Sequence, residues 1–334
     1  MNIQTPYLVF LGDAKDYKQA KTAFGISEWR PEHCVGQYAL PDCLLDPGLP
    51  TISIGDAVLL GAKTFLIGVS PFSTTLPDSY VDAVESAIYN GLNIANPLHG
   101  ALPQRIIDLA HSFKVEIYNF RHRDQKYPKG TGVKREGLRL LTVGTDCACG
   151  KKYTALSISK GLTSLGVSNT FRSTGQTGFL ISQSGINNDT IQADFLSGAA
   201  EWLTPENKPD HWDIVEGQGA LSHPSFGAGS LSLIYGTQPD IIVMCHEPGR
   251  QTHRGVSMAL PDLVEEIELV EHMARRTNPQ AQCVALSLFT KYAPQDHIDD
   301  CISAADAMGL FVFDPNESSV DGEFNEFLHY LKEY

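Results

Sequence analysis

Residues 138–164, LRLLTVGTDCACGKKYTALSISKGLTS, decide how the chain is read. The mostly apolar start, Leu138 to Val143, predicts a buried strand, and Lys152 to Leu162 carries alanine, leucine and isoleucine at helical spacing. Between them lies Gly144-Thr145-Asp146-Cys147-Ala148-Cys149-Gly150-Lys151. Strand, glycine-bounded loop, lysine and helix together make a phosphate cradle. Backbone N–H groups line the loop, the helix N-terminus adds partial positive charge, and the lysine adds a full one. The loop departs from the usual pattern twice: five residues rather than four separate its glycines, and Lys152 stands where a serine or threonine would hold Mg²⁺. The nearest hydroxyls on the helix side belong to Tyr153 and Thr154. Such a loop suits holding a diphosphate better than positioning a metal for γ-phosphoryl transfer.

The 334 residues suggest about two domains, each able to bury a core. Hydrophobic residues make up 42% and charged residues 19%, as in a soluble globular protein, and no apolar run approaches a membrane span. The N-terminus lacks a basic stretch and meets an acid early, so it reads as a first strand rather than a signal peptide. The net charge of −14 argues against a broad nucleic-acid or anionic-membrane surface, while leaving room for a local basic pocket. Seven scattered cysteines suit reduced thiols and a cytoplasmic location. Cys147 and Cys149 have no second Cys or His pair close in sequence, so they read as small loop residues and no metal site is expected.

In the N-terminal half, strand-like runs at Tyr7–Leu11, Thr64–Val69, Leu92–Ala95 and Val115–Phe120 alternate with helical patterns at Asp78–Asn90 and Leu102–Phe113. That alternation predicts a parallel sheet with helices on both faces. Loops after such strands are the usual ligand positions, which makes His99 and Lys15 candidates, each with a plain local or solvated alternative. The absence of a G-x-G-x-x-G leaves a dinucleotide role with little support. Around residues 122–137 the composition turns charged and glycine-rich, predicting a linker between a domain at 1–121 and a P-loop domain at 138–334. Its Arg and Lys residues read as solvated, or as contacts to an anion at the domain junction.

The C-terminal half repeats the alternation, with strands predicted at Ser168–Arg172, Trp212–Val215, Asp240–Cys245, Gln282–Phe289 and Phe311–Phe313. Helices are predicted at Thr190–Leu203, Leu231–Tyr235, Leu260–Arg276 and Ile298–Met308. Three strand-end loops carry chemistry. Ser173-Thr174-Gly175-Gln176-Thr177-Gly178 offers neutral donors for a carboxylate or phosphate. Glu216-Gly217-Gln218, followed by His223, offers a metal ligand, an ammonium partner or a general base. His246-Glu247-Pro248-Gly249-Arg250, with His253 and Arg254 beyond, offers a bidentate carboxylate clamp. Asp194 faces the same cleft, or favours a helix N-terminus.

Taken together, GTDCACGKKYT, FRSTGQTGFL, DFLSGAAEWL, HWDIVEGQGALSHPSFGAGS and IVMCHEPGR resemble the DgcN-type D-glutamate N-acetyltransferase family, and N-terminal stretches such as GLNIANPLHGAL fit as well. The resemblance implies a Rossmann-like N-terminal domain and a P-loop domain. It also implies acetyl transfer from acetyl-CoA, as cosubstrate, to the amino group of D-glutamate in D-amino-acid catabolism, with an epimerase taking the N-acetyl product. Under it, Gly144 to Thr154 hold the CoA diphosphate, Thr174, Gln176, Thr177, Gln218, Arg250 and Asp194 hold the amino acid, and the base lies among Glu216, His223 and His246. A homo-oligomer is expected by analogy with related P-loop enzymes. The P-loop and the VEGQG loop also resemble dethiobiotin synthetase, which keeps open an ATP/Mg²⁺-dependent ligase or kinase with Glu216 and Asp146 on the metal. A nucleotide-sensing switch is a third reading, opposed by the density of ionisable residues in three separate loops.

Overall fold

The computed structural model describes residues 3–70, 76–98, 100–120, 125–291, 293–315 and 322–334. The chain divides into two compact units, one formed by residues 1–125 with 176–190, the other by 126–175 with 191–334.

The first unit is a five-stranded parallel sheet. In chain order it runs β1 (Tyr7–Gly12), α1 (Lys21–Trp29), β2 (Cys34–Ala39), α2 (Ile54–Leu59), β3 (Thr64–Ile67), α3 (Asp78–Tyr89), β4 (Asn93–Asn96), α4 (Gln104–Phe113) and β5 (Ile117–Asn119). The spatial order is β2-β1-β3-β4-β5. Tyr7 to Leu11 are buried without interruption, as expected of a strand covered on both faces. The β2 strand and the helices α1 and α2 were not expected from the sequence. In β2, CVGQYA, only Gly36 and Gln37 are buried, so it lacks the apolar run that marked β1.

The second unit is a six-stranded parallel sheet. It begins with β6 (Leu138–Gly144), α5 (Lys151–Ser164) and β7 (Asn169–Arg172). Gln176–Ser182 then forms α6, which belongs to the first unit, where Arg30 Nε donates to the Ile181 carbonyl at 3.0 Å. The second unit resumes with α7 (Leu196–Leu203), β8 (Trp212–Val215), α8 (Gly227–Thr237), β9 (Ile241–His246), α9 (Leu263–Ala274), β10 (Gln282–Leu288), α10 (Gln295–Met308), β11 (Phe311–Phe313) and α11 (Glu323–Glu333). The order β11-β10-β9-β6-β8-β7 sets the P-loop strand between β8 and β9, so the loops after β6, β7, β8 and β9 leave the same edge of the sheet. A core of Leu140, Ile158, Trp212, Ile214, Ile241, Val243 and Phe327 lies beneath that edge.

Two expectations are corrected. The helix expected over Thr190–Leu203 is two short 3₁₀ turns, Asn188–Thr190 and Ala193–Phe195, followed by α7. The described part of the charged linker is not simply solvated. Lys134 Nζ pairs with Asp240 at 2.9 Å, and Arg135 donates to the carbonyls of Thr204 and Gly236. Glu201, buried in α7, accepts the amides of Thr131 and Gly132 at 2.8 Å each. The Arg139 guanidinium, buried inside β6, donates to the carbonyls of Arg135, Glu136, Gly137 and Pro205. Each cation here has an acceptor that offsets its desolvation.

Candidate active site

The loop after β6 has the cradle geometry its sequence implies. Gly150 caps α5 with φ +105°, a conformation that favours glycine, and Ala148 also sits at φ +56°. Alternating backbone signs of this kind turn successive N–H groups toward one concavity. Lys151 opens the helix, 7% exposed, with Nζ donating to the Asp146 carbonyl at 2.6 Å. Thr142 anchors the loop from below: its hydroxyl lies 3.1 Å from the Lys151 carbonyl and accepts the Gly217 amide at 3.0 Å. A Cβ on Gly217 would stand 1.8 Å from the Thr142 carbonyl oxygen, so only glycine lets the β8 loop pass this close. The Thr154 hydroxyl is taken up by Ser287 Oγ at 2.8 Å and the Gly150 carbonyl at 3.2 Å, and lies close to the Cys245 thiol. Lys152 lies with its ammonium 4.9 Å from the centre of the Tyr153 ring.

After β7 and β8 the loops are knitted around Glu216, which is 4% exposed. Its Oε2 accepts the Thr174 amide at 3.2 Å, its carbonyl accepts the Thr174 hydroxyl at 2.6 Å, and Gln218 Nε2 donates to that hydroxyl at 3.0 Å. Burial pushes the Glu216 carboxyl above its usual range, against the opposing pull of the Lys152 ammonium and the Thr174 and Gly175 amides. A raised carboxyl stabilises the fold below its unfolded pKa, near 4.5, and that contribution is lost as pH rises through the folded value. Glu216→Gln keeps an acceptor for Thr174 and removes the charge. Its melting temperature is therefore expected to gain on the parent between pH 4.5 and 7.5, and a gap that stays constant would refute the assignment.

The centre of the cluster is Asp146, completely buried. Its Oδ2 accepts from Arg250 Nη1 at 2.6 Å and from the Arg254 amide at 2.8 Å, while Oδ1 lies 3.3 Å from His253 Nδ1 and 3.9 Å from His223 Nε2. Burial raises the Asp146 carboxyl, but the hydrogen bonds from Arg250 and from the Cys147 and Arg254 amides outweigh it and hold the group below the usual carboxylate range. Arg250 also donates to the Cys147 carbonyl at 2.7 Å and pairs with Glu247. Its guanidinium therefore braces the P-loop. His223 accepts the Ser225 amide at Nδ1, which leaves Nε2 to donate to the Arg254 carbonyl at 3.1 Å. His246 Nδ1 lies 2.8 Å from the Thr145 hydroxyl, and burial, aided by Arg250, pushes its imidazole down to about 4.

Among the described residues Asp146, Cys147 and His223 have ligand atoms within 4.8 Å of one another. Both Asp146 oxygens are already engaged, Arg250 and Arg254 stand beside them, and burial raises the Cys147 thiol. Those conditions favour an anion over a cation, so we do not read the trio as metal ligands.

The other expected residues are placed as follows. Gln176 and Thr177 open α6 in the first unit, where the Thr177 hydroxyl meets that of Thr22 at 3.1 Å, so the loop read as Ser173–Gly178 is half helix. Asp194 is exposed on the 3₁₀ turn Ala193–Phe195 rather than on a helix. The Lys15 ammonium donates to the Asp42 carbonyl. His99 lies outside the described residues. His253 has no signal of its own in the sequence: a lone His in a polar loop carries no periodicity or motif to distinguish it.

A strand-loop-lysine-helix cradle on a fully parallel second sheet, preceded by a β2-β1-β3-β4-β5 sheet, defines a two-domain α/β protein with a Rossmann-like first domain and a P-loop second domain. Residues 36–123 match the DUF1611_N Rossmann-like domain and residues 127–322 the DUF1611_C P-loop domain, both described as domains of unknown function; the chain belongs to this family. It is 40% identical over 325 residues to a D-glutamate N-acetyltransferase of Pseudoalteromonas, covering 96% of this chain and 98% of the relative. It is 39% identical over 317 residues to a D-glutamate N-acetyltransferase of Tritonibacter scottomollicae, covering 94% and 95%. The fold is shared with a DUF1611 family protein from Anabaena variabilis, at TM-score 0.85 and 23% identity over 99% of this chain and all of that one. No helix among the described residues is long and apolar enough to cross a membrane.

Proposed function

We propose that this protein is an amino-acid N-acetyltransferase that moves the acetyl group of acetyl-CoA to the amino group of D-glutamate. The observation that carries the reading is near-full-length identity of 40% to a relative bearing that name. The site is compatible with it. The cradle around Cys147 and Lys151 suits the CoA diphosphate, and with Lys152 following the loop lysine and the Thr154 hydroxyl engaged by Ser287 and the Gly150 carbonyl, the loop has no hydroxyl beside its lysine to place Mg²⁺ for phosphoryl transfer. Loop N–H groups supply donors for the oxyanion that develops on the thioester carbonyl. The cationic Arg254, exposed on the loop after β9, suits a dicarboxylate acceptor. An epimerase acting on the N-acetyl product would complete a D-amino-acid catabolic route.

The test is free-thiol release from acetyl-CoA with D-glutamate, L-glutamate or no amine. Thiol is expected to rise with D-glutamate above the amine-free control. A trace that never leaves that control overturns the reading. Thermal stabilisation by ATP–Mg²⁺ that acetyl-CoA fails to reproduce would point instead to the ATP-dependent alternative.

A further inference from the structure

We infer that His253, oriented by Asp146, is the proton-transfer residue of this site, with its Nε2 left unpaired for the amine that enters. The inference rests on the acetyl-transfer reading and adds to it the group that moves the proton.

The three bases expected from the sequence are less suited. Glu216 holds the Thr174 amide, His223 has both ring nitrogens engaged, and His246 meets the Thr145 hydroxyl through Nδ1 while burial pushes its imidazole down to about 4, which makes it a weak base. His253 differs. Its ring is fully buried, Nδ1 faces Asp146 Oδ1 at 3.3 Å, and Nε2 is buried with no hydrogen-bond partner among the described residues. An anionic carboxylate can only accept, so the proton sits on Nδ1 and Nε2 carries the lone pair. Leaving such an atom buried and unpaired is unfavourable, a cost that a partner arriving with substrate would remove.

The ring's position is set by the backbone: the His253 amide donates to the Met258 carbonyl at 2.9 Å within a turn closed by the Thr252–Ala259 bridge. The titratable and charged groups around it are Asp146 from the loop after β6, His223 edge-on at 5.0 Å from the loop after β8, Arg250 and Arg254 from its own loop, and Glu266 of α9. Asp146 is thus placed to stabilise the imidazolium that proton transfer creates.

The step balances as follows. The substrate ammonium gives one proton to His253 Nε2, and the freed amine nitrogen attacks the thioester carbonyl carbon, whose π electrons move to oxygen. The tetrahedral adduct loses a second amine proton to solvent. Its collapse re-forms the carbonyl and breaks the C–S bond. The departing CoA thiolate takes the proton held on Nε2, leaving amide, free CoA and one released proton.

Two measurements test this. In the parent protein labelled with ¹⁵N-histidine, long-range ¹H–¹⁵N correlation is expected to show His253 protonated at Nδ1 and bare at Nε2; the opposite tautomer overturns the inference whatever the activity. His253→Ala is expected to lower kcat about 10²- to 10⁴-fold. Acetyl-CoA affinity should change less than twofold, the histidine limb of the pH–kcat profile should vanish, and added imidazole should restore part of the rate. A folded His253→Ala chain that keeps more than a tenth of the parent kcat removes this role and leaves acetyl transfer standing. A parent that releases no thiol removes acetyl transfer and this role together.

Discussion

Lys151→Ala is expected to bind acetyl-CoA about 10- to 100-fold more weakly than the parent, because a charged hydrogen bond to phosphate contributes about 1.5–3 kcal/mol. The ammonium is folded onto its own loop, donating to the Asp146 carbonyl, and it is almost wholly buried. A diphosphate would offer the same ammonium stronger acceptors at a helix N-terminus that already favours anions. The backbone nest remains in the variant, so binding should weaken without vanishing. Lys151→Arg keeps the charge but must fit a larger planar group beside Cys149 and Gly144, and should recover only part of the affinity. Calorimetric titration of both variants with CoA and with dephospho-CoA decides the matter. Equal affinities for parent and Lys151→Ala would mean that the cradle does not hold the diphosphate.

The sequence exposed the parts of this architecture whose signals are local. Leu140 to Gly144 is an unbroken buried run, and the glycines and lysine that follow it have few other uses, so strand, cradle and helix could be read together. The loops at Glu216 and His246 were visible because ionisable residues follow apolar strands. Elements whose reasons lie far away in the chain stayed hidden. The α6 helix begins in Gln176-Thr177-Gly178, a composition that favours a turn; its stability comes from burying Phe179, Leu180 and Ile181 in the first unit. The linker residue Arg135 looked solvated because its acceptors, Thr204 O and Gly236 O, lie 69 and 101 residues away. The Asp146 environment was hidden for the same reason. A carboxylate inside a phosphate-binding loop reads as a ligand contact, whereas here Arg250 and His253, more than 100 positions later, enclose it.

That enclosure makes Arg250 the side chain whose removal should cost most. Arg250→Ala leaves a fully buried Asp146 without its shortest hydrogen bond and frees the Cys147 carbonyl that the same guanidinium pins. Removing one partner of a buried ion pair costs about 3–5 kcal/mol. Arg250 keeps 18% side-chain exposure, so the lower end, about 3 kcal/mol, is expected. The sign of the pH dependence follows from Asp146. Its carboxyl is held low in the folded state, so the associated stability is present above the unfolded carboxylate pKa, near 3.8, and is lost as pH falls through the folded value. The gap between parent and Arg250→Ala should therefore be widest near pH 7 and narrow in acid. Arg250→Lys restores charge, but a single ammonium lacks the fork that meets Asp146, the Cys147 carbonyl and Glu247 together, so it should fall between the two. Denaturant unfolding at pH 7 and at about pH 2, below the window in which the carboxyl titrates, measures the gap directly. If Arg250→Ala matches the parent at pH 7, solvent screens the cluster and the low Asp146 carboxyl has another cause. If the gap is present but does not shrink in acid, the arginine acts through packing rather than through the carboxylate it faces.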